Sequence, residues 1–311
     1  VGVSSQFSGS FLKDRVIIRT NYKANNYRVL SMPLESMFTP IDKWEEIISE
    51  REHVLTGLSF TKNKILAEYL VNACSKVEIF DHAGKPQGEI PLPLYATLEG
   101  ISAHRTEEEF FYSVTSFVHA RIIYRYLPNE NTFVEYRKID NPLISDDYAV
   151  KQEWYSSKDG TRIPMFILHR KDIAPNEPHP TVLYGYGGFG SVMSPGFMRG
   201  FLPWMEHGGV YALANIRGGG EFGEAWHKAA MGKKKQNSFD DFIAAAEYLV
   251  AQGYTSSEHL GVLGGSNGGL LVSAVAIQRP DLFGAVCSRV PLTDMVRFPS
   301  FGMALRWVHE Y

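Results

Sequence analysis

The hydrophobic pattern of this chain changes near Val150, and that change limits the possible folds more than any other feature. Before it, short runs rich in β-branched and aromatic residues occur in pairs separated by turn residues, which is typical of antiparallel strands. After it, short apolar runs alternate with segments of helical periodicity, which is typical of a mostly parallel sheet with helices on both faces. The 311 residues are therefore predicted to form two domains, 1–149 and 150–311.

The first domain contains three pairs of strand-like runs. Their first members begin at residues 16, 65 and 110, so the spacing is 49 and then 45 residues. Blades of a β-propeller repeat at about 40–50 residues, so the spacing favours about three blades. An ordinary antiparallel sandwich fits the same pattern, and periodicity alone leaves both folds open. The pairs are 16–22 with 26–32, 65–71 with 75–81, and 110–116 with 120–126.

The second domain is predicted to begin with a hairpin whose turn is Lys158-Asp159-Gly160. Four further strands and two helices follow. Ser238 is predicted to cap the first of these helices, and Gly253 to end it at the C′ position. The predicted segments are the hairpin strands 153–157 and 161–170, the strands 181–186, 209–216, 259–265 and 283–290, and the helices 238–252 and 267–278.

The segment GGSNGG at residues 264–269 joins a predicted strand to a predicted helix. Gly264 and Gly268 lie two residues on either side of Ser266, which gives the G-x-S-x-G pattern of a nucleophile elbow. Glycines are needed there because side chains would collide with the strand and the helix that the turn joins. Since the strand and the helix are also present, Ser266 is predicted to be a nucleophile. The backbone N–H of Asn267, at the helix start, is predicted to face a developing oxyanion.

Two other glycine-rich segments, 185–190 and 218–223, match the G-x-G-x-x-G pattern of dinucleotide sites. Such a site needs a helix that begins directly after the glycines and an acidic residue about 20 positions later. Neither segment provides both. The segment 185–190 instead follows a strand where α/β-hydrolases carry a second oxyanion donor. Tyr186 is therefore a candidate donor through its phenolic O–H, and a core aromatic is the alternative.

Several segments of the second domain resemble the catalytic domain of the prolyl oligopeptidase family of serine peptidases, and they cover residues 150–311 almost continuously. The segments are EWYSSKDGTRIPMFILHR, LYGYGGFG, GGVYALANIRGGGEFGEAWHKAA, KQNSFDDFIAAAEYLV and GGSNGGLLVSAVAIQRPDLFGAV. The resemblance implies an incomplete α/β-hydrolase domain preceded by part of an all-β propeller. Asn267, directly after the serine, favours the proline-specific enzymes over oligopeptidase B, acylaminoacyl peptidase and the dipeptidyl peptidases, which usually carry another residue there.

The resemblance also implies roles for single residues. The serine, tyrosine and asparagine singled out above match the family's nucleophile and oxyanion-hole residues. Trp307 matches the tryptophan on which the substrate proline packs, and Phe189 and Tyr311 match further walls of that pocket. An aromatic pocket also suits proline physically, because the pyrrolidine ring offers apolar faces and no N–H donor.

Acyl transfer from a serine also needs a general base and an acid that orients it. In this fold both follow later strands, and only one strand is predicted after Ser266. Asp294 and His309 are the only candidates for this acid and base within the chain. The family places its acid elsewhere, and His309 shares a predicted helix with Trp307, so it could not also lie in a loop at the far edge of the sheet. We therefore expect the acid, the base and most blades of a seven-bladed propeller to lie outside this chain, which would leave the chain alone inactive.

Composition bears on partners and location. The net charge of −3 gives no sign of binding to nucleic acid, and no apolar run approaches the roughly 18–20 residues of a membrane span. Cys74 and Cys287 suggest no disulfide framework, which favours a cytoplasmic location. The resemblance implies no metal or other cofactor, short proline-containing peptides as substrates, and a monomeric parent protein.

Two other functions stay open at this point. An oligopeptidase B-like peptidase would cut after Arg or Lys, although the predicted pocket is aromatic. A family member without catalytic activity would act as a binding or scaffold protein.

Overall fold

The computed structural model describes residues 5–36, 38–139, 145–173 and 177–311. These residues form two compact units. The first contains the described residues up to 139 together with Ser194–Phe197, and the second contains the remainder. The candidate site residues all belong to the second unit.

The first unit consists of three antiparallel sheets, each made of four consecutive strands. The first sheet contains β1 (Phe7–Leu12), β2 (Arg15–Thr20), β3 (Arg28–Pro33) and β4 (Glu45–Ile48). The second contains β5 (Val54–Phe60), β6 (Lys64–Val71), β7 (Cys74–Asp81) and β8 (Pro86–Ile90). The third contains β9 (Ala96–Ala103), β10 (Phe110–Ser116), β11 (Ile122–Leu127) and β12 (Thr132–Lys138). Each sheet is thus a meander, in which every strand pairs with the next one along the chain.

Strand β6 shows how successive sheets pack. Ile65 and Tyr69 belong to an apolar cluster that includes Ile17 of the first sheet. Leu66, which points to the opposite side because alternate residues of a strand face opposite ways, belongs to a second cluster with Tyr112 of the third sheet. The middle sheet is therefore buried on both faces, as in neighbouring blades of a propeller.

The second unit is built on a six-stranded sheet in the order β13-β14-β16-β15-β17-β18. Its strands are β13 (Tyr148–Ser156), β14 (Arg162–Arg170), β15 (Thr181–Tyr184), β16 (Val210–Ala214), β17 (Leu260–Gly265) and β18 (Ala285–Arg289). Strands β13, β14 and β16 pair antiparallel, and the strands from β16 to β18 pair parallel. Strand β18 forms one edge, and all five of its residues are exposed.

Four helices accompany this sheet: α1 (Leu202–Glu206), α2 (Gly223–Lys228), α3 (Gln236–Ala251) and α4 (Asn267–Gln278). Helices α3 and α4 share an apolar cluster with Ala212 of β16. The neighbouring residue Tyr211 points to the other face, where its ring lies 4.7 Å from that of Phe201, directly before α1. The sheet is therefore covered on both faces, as the alternation of strands and helices predicted.

Two local predictions are corrected by the structure. Helix α3 begins at Gln236, so Ser238 lies inside the helix rather than at its cap, and its hydroxyl donates to the Arg217 and Gly187 carbonyls. The segment around Trp307, predicted as one helix, contains only a 3-10 turn over Ala304–Arg306 followed by hydrogen-bonded turns. The predicted C′ glycine is present, because Gly253 follows α3 with a φ of 77°.

A buried ion pair ties the loop after β16 to helix α3. Asp241 is fully buried and accepts hydrogen bonds from the backbone N–H of Arg217 (3.0 Å), from its guanidinium (2.6 and 2.9 Å) and from the Ser157 hydroxyl (2.5 Å). Asp159, in the β13–β14 turn, binds the same guanidinium and has its pKa lowered chiefly by that contact. A buried charge is tolerated only with such a full set of partners.

Replacing Asp241 with asparagine is expected to lower the free energy of unfolding of the second unit by about 3–5 kcal/mol, because the buried Arg217 charge loses its main partner. Asp240→Asn is the matched control, since within the described residues the Asp240 side chain accepts a hydrogen bond from one exposed glutamine, and its expected cost is below about 0.5 kcal/mol. Tryptophan fluorescence during urea unfolding suits this measurement, because four of the five tryptophans lie in the second unit. Equal effects of the two changes would contradict the role given to the ion pair.

Candidate active site

Ser266 occupies the tight turn between strand β17 and helix α4. Its backbone has φ 56° and ψ −117°, a strained conformation for a residue that is not glycine. A Cβ atom on Gly264 would lie 2.0 Å from the Gly268 carbonyl oxygen, and one on Gly268 would lie 2.7 Å from the Gly185 carbonyl oxygen. The turn therefore requires the two glycines of the G-x-S-x-G pattern.

The backbone of Ser266 is already engaged on both sides. Its N–H donates to the Arg289 carbonyl at 2.9 Å, and its own carbonyl accepts the first helical hydrogen bond, from Leu270 at 3.1 Å. The N–H groups of the first helical turn, beginning with Asn267, have no acceptor inside the helix. They are the donors available to an oxyanion beside Ser266.

Tyr186 lies on the loop after β15, which is the parallel neighbour of β17. This loop and the turn that carries Ser266 therefore follow the carboxyl ends of adjacent strands, on the same side of the sheet. Burial raises the pKa of Tyr186 above its ordinary value, although the nearby Ser266 hydroxyl opposes this shift. The phenol is therefore protonated at neutral pH and carries an O–H that can donate. The structure brings Tyr186, Ser266 and Asn267 together, as the predicted oxyanion hole requires.

The side chain of Asn267 cross-links two parts of the site. It is 1% exposed, and its amide nitrogen donates to the Tyr186 carbonyl at 2.5 Å while its amide oxygen accepts the Tyr311 hydroxyl at 2.9 Å. The sequence analysis predicted a role only for the backbone N–H of this residue, as an oxyanion donor, and none for its side chain. The side chain thus fixes the loop that carries the candidate oxyanion donor and joins it to the end of the chain.

Phe189, Trp307 and Tyr311, here called the aromatic group, lie together next to this cross-link. The Phe189 ring is edge-on to Trp307 at 6.2 Å and to Tyr311 at 5.9 Å, with interplanar angles of 77° and 79°. Such perpendicular arrangements are favourable for aromatic rings. Because Tyr311 also bonds Asn267, the aromatic group is tied directly to the residue that follows Ser266.

The loop 185–190 is held through a backbone carbonyl that accepts hydrogen bonds from two side chains. The Gly187 carbonyl accepts hydrogen bonds from Lys235 Nζ at 2.8 Å and from the Ser238 hydroxyl at 3.2 Å. No helix opens after Gly190, because the chain continues without regular structure to residue 198. The dinucleotide interpretation rejected from the sequence therefore lacks its structural requirement here as well.

Asp294 and His309 do not complete a catalytic triad in the structure. Asp294 pairs with Arg297, three residues later, and His309 is exposed. Among the described residues, no hydrogen bond joins Ser266 to a histidine or to a carboxylate. The sequence-based rejection of this pair agrees with their positions.

Three titratable residues at the site, Glu310, Lys235 and His227, were not identified from the sequence. Glu310 is fully buried and contacts the Phe189 backbone, His227 and Lys235. Lys235 ends a run of three lysines, which reads as an exposed basic segment. Only the neighbouring Trp307 and Tyr311 marked this stretch as functional, and no local pattern points to His227.

The described part of the chain contains no helix that is long and apolar enough to cross a membrane. Within the same residues, no group of three or more His, Cys, Asp or Glu side chains is arranged to hold a metal ion.

A strained serine in the turn between a parallel strand and the following helix is characteristic of the α/β-hydrolase class, in which that serine is the nucleophile. Two family models match the chain. The one described as the prolyl oligopeptidase family matches residues 195–311, and the one described as the prolyl oligopeptidase N-terminal β-propeller domain matches residues 5–137. The chain belongs to the prolyl oligopeptidase family. The predicted fold class, part of a propeller followed by part of an α/β-hydrolase domain, is thereby confirmed.

Curated relatives and solved structures agree with this family. A prolyl endopeptidase of Elizabethkingia miricola is 35% identical over 298 residues, which cover 96% of this chain and 42% of the relative. One of Dictyostelium discoideum is 38% identical over 307 residues, covering 94% and 40%.

Among solved structures, a prolyl endopeptidase from a study of inter-domain dynamics has a TM-score of 0.95 and 42% identity, covering 100% of this chain and 46% of its own. Prolyl oligopeptidase B of Galerina marginata, bound to a 35mer hydrolysis and macrocyclization substrate, has a TM-score of 0.92 and 32% identity, covering 99% and 44%. The chain spans about two fifths of the length of the curated relatives that it matches.

Proposed function

We propose that the protein carrying this chain is a serine endopeptidase that hydrolyses short peptides on the carboxyl side of proline, through an acyl-enzyme on Ser266. The observation that carries this proposal is the aromatic group, joined to the residue after Ser266 by the Tyr311–Asn267 hydrogen bond. The relatives named as prolyl endopeptidases support the same specificity.

In this mechanism the Ser266 hydroxyl attacks the carbonyl carbon of the scissile peptide bond. The carbonyl oxygen becomes an oxyanion, to which the Tyr186 hydroxyl and the Asn267 N–H donate. The intermediate then collapses: the C–N bond breaks, the amine-side peptide leaves with the proton that the serine hydroxyl gave up, and an ester remains on Ser266. Water hydrolyses this ester, which releases the proline-ended peptide and restores the hydroxyl. The described contacts of Ser266 supply no general base, so tests of activity need the complete gene product that contains this sequence.

The aromatic group provides the specificity of the proposed site. Proline presents a compact apolar ring and has no N–H to satisfy, so an apolar aromatic wall costs it no unpaired hydrogen-bonding group. Two perpendicular ring contacts hold Phe189 in the group. We propose that the substrate ring packs on Trp307, with Phe189 and Tyr311 as neighbouring walls.

An oligopeptidase B-like specificity for Arg or Lys is the nearest rival. Such a site needs a carboxylate that is free to pair with the substrate cation. Glu310 is the carboxylate that contacts the aromatic group's backbone, and both of its oxygens are engaged, one with the Phe189 N–H and the other with His227. The geometry therefore favours the apolar substrate over the cationic one.

Hydrolysis of two fluorogenic peptides, one ending in Gly-Pro and one in Arg-Arg, tests the proposal. The complete gene product is expected to release the fluorophore faster from Gly-Pro than from Arg-Arg. Faster release from Arg-Arg would transfer the assignment to the basic-specific relatives. Silence on both would favour a binding or scaffold protein without catalytic activity.

We further propose a cytoplasmic, monomeric protein that acts on short proline-containing peptides and not on nucleic acids or membranes, without a cofactor. The unpaired state of Cys74 and Cys287 supports a reducing compartment. Size-exclusion chromatography with light scattering tests the oligomeric state, and fractionation of the source cells tests the location.

A further inference from the structure

Glu310 is a buried carboxylate whose hydrogen bonds converge on the aromatic group. Its side chain is 0% exposed. One oxygen, Oε1, accepts the Phe189 backbone N–H at 2.7 Å, and the other, Oε2, lies 2.9 Å from His227 Nε2. Its own backbone carbonyl accepts the N–H of Gly232 at 3.0 Å. The residue is therefore fixed from both its main chain and its side chain.

The charge of Glu310 is balanced within the same cluster. Lys235 Nζ lies 4.0 Å from Oε1, donates to the Gly187 carbonyl, and stands 5.5 Å from the centre of the Tyr311 ring. Burial alone would raise the pKa of Glu310, but the contacts with His227, the Phe189 N–H and Lys235 outweigh it and hold the pKa below its ordinary value. Burial also lowers the pKa of Lys235 to about 8. Glu310 is thus ionised at neutral pH, when its acceptor strength is greatest.

Phe189 needs such support because its backbone is strained. Its φ is 59°, in the left-handed region that bulky residues rarely occupy. A conformation of this kind costs about 1–3 kcal/mol and persists only where the surroundings determine it. Among the described contacts of the Phe189 backbone, the hydrogen bond to Glu310 is the one that anchors its N–H.

We propose that Glu310 is a positioning residue that sets proline selectivity, by holding the Phe189 backbone so that its ring stands edge-on to Trp307 and Tyr311. This inference rests on the proposed function, because it concerns the same pocket. Glu310 itself reaches no substrate, since it is buried behind the Phe189 main chain. Its effect on catalysis passes through the position of one ring.

Two substitutions separate the reach of this carboxylate from its charge. In Glu310→Gln the amide oxygen still reaches the Phe189 N–H, but the charge is lost. In Glu310→Asp the charge stays, but the side chain is one methylene shorter and cannot hold both Phe189 and His227. Selectivity is measured as the ratio of kcat/KM for a Gly-Pro substrate to kcat/KM for a Gly-Ala substrate, in the complete gene product.

The proposal predicts that Glu310→Gln keeps this ratio within about threefold, whereas Glu310→Asp lowers it about tenfold or more, as expected when the Phe189 N–H is left without its acceptor. Glu221→Gln is the matched control. Glu221 is also buried and accepts a loop N–H, that of Met193, and its described hydrogen bonds do not reach the aromatic group. Its replacement is expected to change the rates on both substrates by the same factor.

The outcomes are distinguishable. If Glu310→Gln loses the selectivity and Glu310→Asp keeps it, the carboxylate acts through charge alone and the positioning role is overturned. Equal loss of activity on both substrates in both variants would also overturn it, since that is the behaviour of a merely structural residue. A wild-type protein with no preference for proline would overturn the proposed function itself, and this inference with it. If the Asp variant does not fold, Glu310→Met, which fills the space without an acceptor, takes its place beside the Gln variant.

Discussion

Replacement of Ser266 with alanine is expected to lower kcat on a Gly-Pro substrate by on the order of 10⁶-fold, because no acyl-enzyme can form without the hydroxyl. The turn itself should survive, since alanine differs from serine only by that oxygen and the flanking glycines already accommodate the strained backbone. Circular dichroism and the unfolding midpoint should therefore match those of the wild type. Steady-state hydrolysis by the complete gene product is the measurement.

Ser273→Ala provides the control for this experiment. Ser273 lies on the same helix, seven residues later, and its hydroxyl bonds that of Ser288. We expect its replacement to leave the rate within about twofold of the wild type, as is usual for a surface substitution. If Ser266→Ala retained most of the activity, the elbow would be a glycine-rich turn without a catalytic role.

Removal of the Tyr186 hydroxyl, in Tyr186→Phe, is expected to lower kcat by about 10²–10³-fold with little change in KM. The reason is that an oxyanion exists only in the transition state and the tetrahedral intermediate, so a donor aimed at it does not hold the substrate beforehand. Because burial raises the pKa of this phenol, the loss should stay constant from neutral to mildly alkaline pH.

Tyr184→Phe is the control for this second change. Tyr184 lies two residues earlier, at the end of β15, and its pKa is likewise raised by burial. Its hydroxyl has no part in the proposed mechanism, so kcat should change less than about threefold. A parallel fall in kcat for both variants, or a rise in KM alone for Tyr186→Phe, would contradict the oxyanion role.

Much of the fold could be predicted from the sequence, but the middle strands of each sheet in the first unit were predicted and the outer strands were not. The six strand-like runs correspond to the two middle strands of each sheet in the first unit: β2, β3, β6, β7, β10 and β11. Two of the outer strands escaped detection because they bury little. β8 exposes four of its five residues and β12 five of its seven, so neither shows an apolar alternation. Most middle strands of the first unit bury more of their residues than these two, as β6 does with five of its eight, and so show a clearer apolar pattern.

In the candidate site, too, one part could be predicted from the sequence and another could not. The elbow could be predicted because its requirement is local, and a serine between glycines at a strand–helix junction is visible in six residues. The Asn267 side-chain bridge and the Glu310 cluster depend on residues far apart in the chain, such as Tyr186, Phe189 and His227. Ser238 shows the same limit, because its pattern suggested a helix cap while its hydroxyl serves the loop carbonyls.

Covalent labelling tests the central claim, a Ser266 nucleophile beside a proline-selective pocket, most directly. The complete gene product would be treated with two diphenyl phosphonates, one an analogue of proline and the other an analogue of arginine. The adduct would be located by peptide mapping with mass spectrometry. We predict a single adduct on Ser266, formed faster with the proline reagent. An adduct on another residue, or faster labelling by the arginine reagent, would contradict the account.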